Sequence, residues 1–126
     1  METTSEKAYF LDTYALIEII NRNGNYGPYK KGNLITTRLN LMELHYFLLR
    51  TASKENANFH YNFLLSLVVE ISDEVIKKSN EFRLLIKKRK LSYVDCIGYT
   101  IAKINNVKFL TGDNQFKDLE NVEFVN

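Results

Sequence analysis

The sequence predicts an α/β fold with three layers, in which a mostly parallel central sheet lies between helices. Short apolar segments typical of strands alternate with stretches whose apolar residues repeat at helical spacing. An aspartate also follows two of these strand-like segments, Asp12 after residues 8–11 and Asp113 after residues 107–110. Ligands of parallel α/β sheets bind beyond the carboxyl ends of the strands. The same pattern therefore predicts the place of a functional site.

Length and composition predict a single soluble domain. The chain has 126 residues, enough for one hydrophobic core, so we expect one domain over residues 1–126 with residues 1–7 as a flexible tail. A single cysteine excludes an internal disulfide and is typical of a reducing cytoplasm. The polar start is unlike a secretory signal, and the apolar runs are too short to span a membrane. We expect a cytoplasmic protein without membrane contact.

The elements follow one another in alternation, with an extra pair of helices in the middle. The predicted strands cover residues 8–11, 34–36, 107–110 and 122–125. The predicted helices follow Asp12 and Ser92 and cover residues 38–54, 56–67 and 73–88. Residues 68–71 are typical of either a strand or a helix end. Residues 23–33 hold three glycines and the single proline, so they are predicted to form a loop.

The helix that follows Ser92 is the center of the predicted arrangement. Ser92 and Asp95 have the spacing of a serine-led capping box, which places Asp95 in the first helical turn. Gly98 and Ala102 are small and allow the helix to approach the sheet closely. The expected apolar stripe consists of Val94, Ile97, Ile101 and Ile104.

Four acids are candidates for a common site, although each also has a structural interpretation. Asp12 fits a helix N-cap, Asp95 a favourable charge at a helix start, and Asp113 a turn residue, while Glu43 could pair with solvent or a base. In a parallel sheet, however, all four fall at one end. Four neighbouring carboxylates repel one another unless a cation neutralises them. An all-oxygen ligand set favours Mg²⁺ or Mn²⁺ over zinc, and such sites commonly perform phosphate chemistry.

Three segments carry a resemblance to a known family: FLDTYALIEI around Asp12, TRLNLMELHYFLL around Glu43, and LSYVDCIGYTIAKINNVKFLTGDNQF with Asp95 and Asp113. Together they resemble the PIN-domain family, and in length the toxins of VapBC toxin–antitoxin pairs. The resemblance covers the chain from about Ala8 onward, and its closing segment is the most specific part. One departure is Tyr14, where family members commonly carry serine.

The resemblance implies a PIN-like fold and a Mg²⁺- or Mn²⁺-dependent ribonuclease. It assigns the catalytic and metal-binding roles to Asp12, Glu43, Asp95 and Asp113. Thr13 and Thr111 would support them by orienting ligands through their hydroxyl groups. It further implies an RNA substrate, an antitoxin partner and a homodimer, the latter two using the strongly apolar helices predicted at 38–67.

The loop at 23–33 supplies candidate RNA contacts, because it combines aromatic rings that can stack on bases with positive charge: Tyr26, Tyr29, Lys30 and Lys31. A second basic segment, residues 77–90, spreads its charges over more than one helix face and is interpreted as a solvated surface.

Two other functions remain open. The first is a non-catalytic PIN-like domain that acts through its aromatic helices. The second is a phosphoacceptor receiver-type domain, which ranks lower because it would carry a pair of acids after the first strand, where this chain has Asp12 followed by Thr13.

Overall fold

The computed structural model describes residues 7–126, so nearly all of the predicted tail at residues 1–7 lies outside the described residues. Within the described part, the strands are β1 (Ala8–Leu11), β2 (Asn33–Ile35), β3 (Lys108–Thr111) and β4 (Val122–Phe124). The α-helices are α1 (Thr13–Ile20), α2 (Arg38–Thr51), α3 (Lys54–Leu64), α4 (Asp73–Leu85) and α5 (Tyr93–Ile104). The four strands and five helices that the sequence predicts outside residues 68–71 are present, with shifts of a few residues at the ends.

The four strands form one parallel sheet in the order β2-β1-β3-β4. Phe10 of β1 is in register with Ile35 of β2 and with Phe109 of β3. All four carboxyl ends therefore lie at the same end of the sheet, which we call the carboxyl end. Residues 68–71, expected to be either a strand or a helix end, contribute a single parallel bridge between Thr36 and Val68.

Helices cover both faces of the sheet, as the strand alternation requires. Tyr9, Leu11 and Leu110 pack on one face against residues of α1, α2 and α3. Phe10 and Phe109 pack on the other face against residues of α4 and α5, and their rings are stacked 5.6 Å apart. The predicted three-layer α/β/α fold is confirmed.

Side-chain caps determine where the helices begin. Each of the five helices is preceded by a side-chain oxygen that accepts a hydrogen bond from a backbone N–H of the first turn, from Asp12, Thr37, Ser53, Ser72 and Ser92 respectively. Because Ser53 caps α3, α2 ends at Thr51 and α3 begins before the predicted residue 56. α4 ends at Leu85 rather than at residue 88, because a 3₁₀ turn follows it.

The buried face of α5 differs from the predicted stripe. A Cβ added to Gly98 would lie 2.7 Å from Cε1 of Phe10, which confirms the close approach of this helix to the sheet. Ile104, however, is 45% exposed, whereas Tyr99 and Ala102 are buried. The reason is that α5 packs against the sheet and α4 at once, so its buried surface is wider than one stripe. Tyr99 accordingly stacks on Phe82 of α4, with ring centroids 4.7 Å apart.

Candidate active site

Asp12 lies at the junction of β1 and α1, at the carboxyl end of the sheet. The Ala15 N–H donates to its Oδ1 at 2.8 Å, which is the helix-capping contact expected from the sequence. The Thr111 hydroxyl, at the end of β3, donates to its Oδ2 at 2.5 Å. Only 5% of Asp12 is exposed. Its carboxyl group is thus fixed between two neighbouring strands and the first turn of a helix.

The surroundings of Asp12 oppose its ionisation. Burial raises its pKa to about 7, although the hydrogen bonds from Thr111 and Ala15 act in the opposite direction. The carboxylates of Asp95 and Asp113 contribute to this increase in the pKa. Within residues 7–126, no lysine, arginine or histidine forms a salt bridge with any of these three aspartates. Two hydrogen bonds are thus the described chain's support for a charged Asp12, and no cationic side chain of residues 7–126 is paired with it.

Asp95 is held in the first turn of α5 by the predicted capping box. The Ser92 N–H donates to Oδ2 of Asp95 at 3.1 Å, and the Asp95 N–H donates to the Ser92 hydroxyl at 3.0 Å. Burial raises the pKa of Asp95, the hydrogen bonds with Ser92 lower it, and the charge of Asp113 raises it again. Asp95 thus lies close enough to both other aspartates to interact with their charges.

Asp113 follows β3 in a tight turn. Its N–H donates to the Thr111 hydroxyl oxygen at 3.0 Å, and its Oδ1 accepts from the Gln115 N–H at 3.0 Å. Gly112, between Thr111 and Asp113, packs against the Tyr14 ring, and a Cβ added to it would lie 2.5 Å from the Val125 carbonyl oxygen. Only glycine fits at this point of the turn. Tyr14 therefore limits the residue allowed beside Asp113.

Glu43 joins the site from α2 through Thr13. The Thr13 hydroxyl donates to Oε1 of Glu43 at 2.6 Å and accepts from Nδ2 of Asn40 at 3.1 Å. Asn40 is buried, and its Oδ1 accepts from the Thr37 hydroxyl at 2.6 Å. Our reasoning from the sequence missed Asn40. The available signal was its position three residues before Glu43, on the same face of an otherwise apolar helix.

The structure brings the three aspartates within electrostatic range of one another and connects Glu43 to them through Thr13, the neighbour of Asp12. As they stand, no three acidic, histidine or cysteine side chains of residues 7–126 are close enough to hold a metal ion together. The donor chemistry nevertheless fits a hard divalent cation, since all the candidate ligands are oxygens and the buried acid lacks a cationic partner.

The candidate RNA contacts do not form an exposed surface beside the acids. Tyr26 is 0% exposed and its hydroxyl donates to the Val125 carbonyl oxygen, so for this residue the expectation of base stacking is wrong. Tyr29 is half-buried and its hydroxyl donates to Glu123 at 2.7 Å. Lys30 and Lys31 are exposed but precede β2, so they lie at the amino end of the parallel sheet, opposite the acids. Residues 24–31 form a 3₁₀ segment packed on the sheet rather than an open loop.

A parallel α/β/α domain with acids after β1 and β3 and in the first turn of α5 defines a recognisable class of fold. The chain belongs to the PIN domain family, whose sequence profile matches residues 9–122. The resemblance identified from the three sequence segments to the PIN-domain family is confirmed.

No helix within residues 7–126 is long and apolar enough to cross a membrane.

Solved structures with a similar fold include chains from toxin–antitoxin systems. VapC20 of Mycobacterium tuberculosis, described as a sarcin–ricin loop cleaving toxin, has a TM-score of 0.75 at 20% identity, covering 93% of this chain and 96% of that one. VapBC2 of Rickettsia felis, bound to a DNA fragment from their promoter, has a TM-score of 0.72 at 21% identity, covering 94% and 98%. A toxin–antitoxin complex from Klebsiella pneumoniae has a TM-score of 0.71 at 16% identity, covering 91% and 95%. At sequence identities this low, the structural similarity shows a shared fold alone. No match was found among curated proteins.

Proposed function

We propose that this protein is a Mg²⁺- or Mn²⁺-dependent endoribonuclease and the toxin of a VapBC-type toxin–antitoxin pair. The observation that carries the proposal is the buried Asp12, whose ionisation is opposed by burial and by Asp95 and Asp113. In such an arrangement the buried acid retains a proton up to about neutral pH unless a cation neutralises its charge. PIN family membership and the fold shared with toxin chains support the proposal.

Asp12, Glu43, Asp95 and Asp113 would hold the ion and are the proposed catalytic residues. Bound there, a divalent cation supplies Lewis acidity, which favours water as a nucleophile and neutralises charge developing on the phosphodiester. Thr111 keeps the Asp12 carboxylate in one orientation, and Thr13 does the same for Glu43. These two hydroxyl groups therefore position the acids.

The proposed partners are an antitoxin protein and a second copy of this chain. Large apolar side chains of α2 and α3 remain exposed, among them Met42, Tyr46, Phe59 and Phe63. Phe59 and Phe63 stack on each other on the outer surface of α3. Exposed apolar surface of this kind favours protein–protein association.

Cleavage of RNA under controlled metal conditions tests the proposed enzyme. The wild-type protein, Asp95→Asn and the control Glu74→Gln would be incubated with a mixed RNA pool in Mg²⁺, in Mn²⁺ and in chelator. Glu74 is an exposed acid of α4 that pairs with Lys78 and lies outside the proposed site. We expect metal-dependent cleavage by the wild type and the control and a loss of about 10²-fold or more in Asp95→Asn.

A non-catalytic interaction domain is the second candidate. It is favoured by the spacing of the acids, which as placed in residues 7–126 form no group of three able to hold an ion. Calorimetric titration with Mg²⁺ and Mn²⁺ separates the two functions. Absence of both cleavage and metal binding would contradict the nuclease and favour the interaction domain.

A further inference from the structure

A basic groove lies beside the proposed active site, between the second half of α4 and the segment that leads into α5. It encloses about 400 Å³ and is lined by Asn80, Arg83, Leu84, Lys87, Lys90 and Leu91, among others. Leu91 is buried beneath it, whereas Leu84 is exposed along its side. We use the name basic groove for this set of residues.

The groove has an excess of positive charge. Arg83, Lys87 and Lys90 line it, and no acidic residue does. None of these three forms a salt bridge within the described chain, whereas their neighbour Arg89 forms a bidentate pair with Asp118, with both N–O distances 2.9 Å. Cations gathered in a concave surface without counter-charges attract a polyanion.

An aromatic ring stands beside these cations. The Arg83 guanidinium lies over the Tyr93 ring, 4.1 Å from its centroid, and its Nε donates to the Leu91 carbonyl oxygen at 3.0 Å. This pairing holds one face of the ring against the protein, yet 62% of Tyr93 is exposed. The uncovered part of the ring is available for stacking, and its partner supplies a positive charge alongside.

The groove and the acids share the amino-terminal end of α5. Leu91 of the groove immediately precedes Ser92, whose hydroxyl and N–H hold Asp95. Tyr93 lies two residues before Asp95, and Arg83 is near enough to lower the pKa of the adjacent Cys96, although burial dominates and raises it overall. The groove therefore borders the segment that holds Asp95 in place.

We infer that the basic groove binds single-stranded RNA next to the scissile bond, with phosphates at Arg83, Lys87 and Lys90 and one base stacked on Tyr93. This inference rests on the proposed nuclease function and specifies how that site receives its substrate. It also revises the interpretation of the segment at 77–90, since three of its cations line one concavity while Lys77 and Lys88 lie outside it.

The chemistry favours RNA over an acidic peptide. A peptide carboxylate would be satisfied by the cations alone, whereas the combination of a backbone-tracking positive groove with an exposed aromatic platform is typical of single-stranded nucleic acid binding. The aliphatic side of the groove at Leu84 offers further contact for a ribose or base.

Binding measured without cleavage tests the groove. Fluorescence anisotropy with a short labelled single-stranded RNA of mixed sequence, in chelator, would compare the wild type with the double variant Lys87→Gln/Lys90→Gln. The control Lys77→Gln/Lys88→Gln removes the same charge from the same segment outside the groove. We expect about tenfold weaker binding in the groove variant, and a slope of log affinity against log salt reduced by about 1.4, since each phosphate contact with a single strand contributes about 0.7.

Tyr93 provides the second readout. Because base stacking on an aromatic ring is sensitive to its removal, Tyr93→Leu should weaken binding on the order of tenfold, with the salt slope unchanged, whereas Tyr93→Phe should bind as the wild type does. Circular dichroism and thermal unfolding verify that each variant is folded.

Several results would overturn the inference: no RNA binding by the wild type, equal weakening in both double variants, or a labelled acidic peptide that binds more tightly than RNA and is lost in the groove variant. The same experiments test the proposed nuclease function independently of the groove. If RNA binds through the groove but is never cleaved in Mg²⁺ or Mn²⁺, only the enzyme assignment is wrong, and if RNA is cleaved with equal kcat/KM by wild type and groove variants, only the groove is wrong.

Discussion

Replacing Asp12 by asparagine should stabilise the metal-free protein at neutral pH. Asparagine keeps an oxygen that can accept from the Ala15 N–H, so the cap of α1 is retained. Its amide group can also remain hydrogen-bonded to the Thr111 hydroxyl, which can act as donor or acceptor. What the substitution removes is the buried negative charge beside Asp95 and Asp113.

The magnitude follows from the pKa. Burial, with the two neighbouring carboxylates, raises the pKa of Asp12 from 3.8 to about 7. The folded protein therefore holds a proton on Asp12 that the unfolded chain has released, and the free energy of unfolding falls as pH rises between these two values. About three pKa units at 1.36 kcal/mol each set a ceiling of about 4 kcal/mol at neutral pH and above. Below about pH 4 both states are protonated and the effect disappears.

Urea denaturation in chelator measures this difference. The stability of Asp12→Asn relative to the wild type should grow by about 2–3 kcal/mol between about pH 5 and about pH 8. Added Mg²⁺ should raise the stability of the wild type more than that of the variant, because binding to the folded state stabilises it. Parallel pH profiles for the two proteins, or a variant that is less stable at about pH 8, would refute the electrostatic argument.

Two further substitutions test the packing. Gly98→Ala should lower the free energy of unfolding by about 1 kcal/mol in a urea titration, because its Cβ would lie 2.7 Å from the buried Phe10 ring. The cost of this overpacking exceeds the gain of about 1 kcal/mol in helix propensity. The control Gly24→Ala, which has open space around the added Cβ, should show no such loss. Tyr26→Phe should lower the free energy of unfolding by about 1 kcal/mol, because it removes the hydrogen bond to the Val125 carbonyl oxygen. Thermal unfolding measures this loss, and unchanged stability would contradict a stabilising role of that hydrogen bond.

The sequence was sufficient to predict the features that depend on local periodicity and on chain direction. Apolar strands followed by helices predict a parallel sheet, and a parallel sheet places Asp12 and Asp113 at the same end. The serine-led cap of α5 was equally readable, because Ser92 and Asp95 interact within one turn. The catalytic assignment of these acids stays a prediction.

The errors concern contacts between distant residues. Tyr26 lies in a segment rich in glycine and polar residues, which indicates a loop, yet its ring is buried in the core and its hydroxyl bonds Val125, 99 positions along the chain. Lys30 and Lys31 lie opposite the acids because α1 carries the chain back to the amino end of the sheet. Asn40 was missed for a related reason, since its role depends on Thr13, 27 residues earlier.

Asp12 is held at both carboxylate oxygens, one by the start of α1 and the other by the end of β3. Much of its side-chain conformational entropy is therefore lost when the protein folds, so less remains to be lost when a ligand binds. A cation meets an oxygen pair that is already oriented. Glutamate, which is longer by one methylene group, would lose the cap and the orientation together, so the two acids should not be interchangeable at this position.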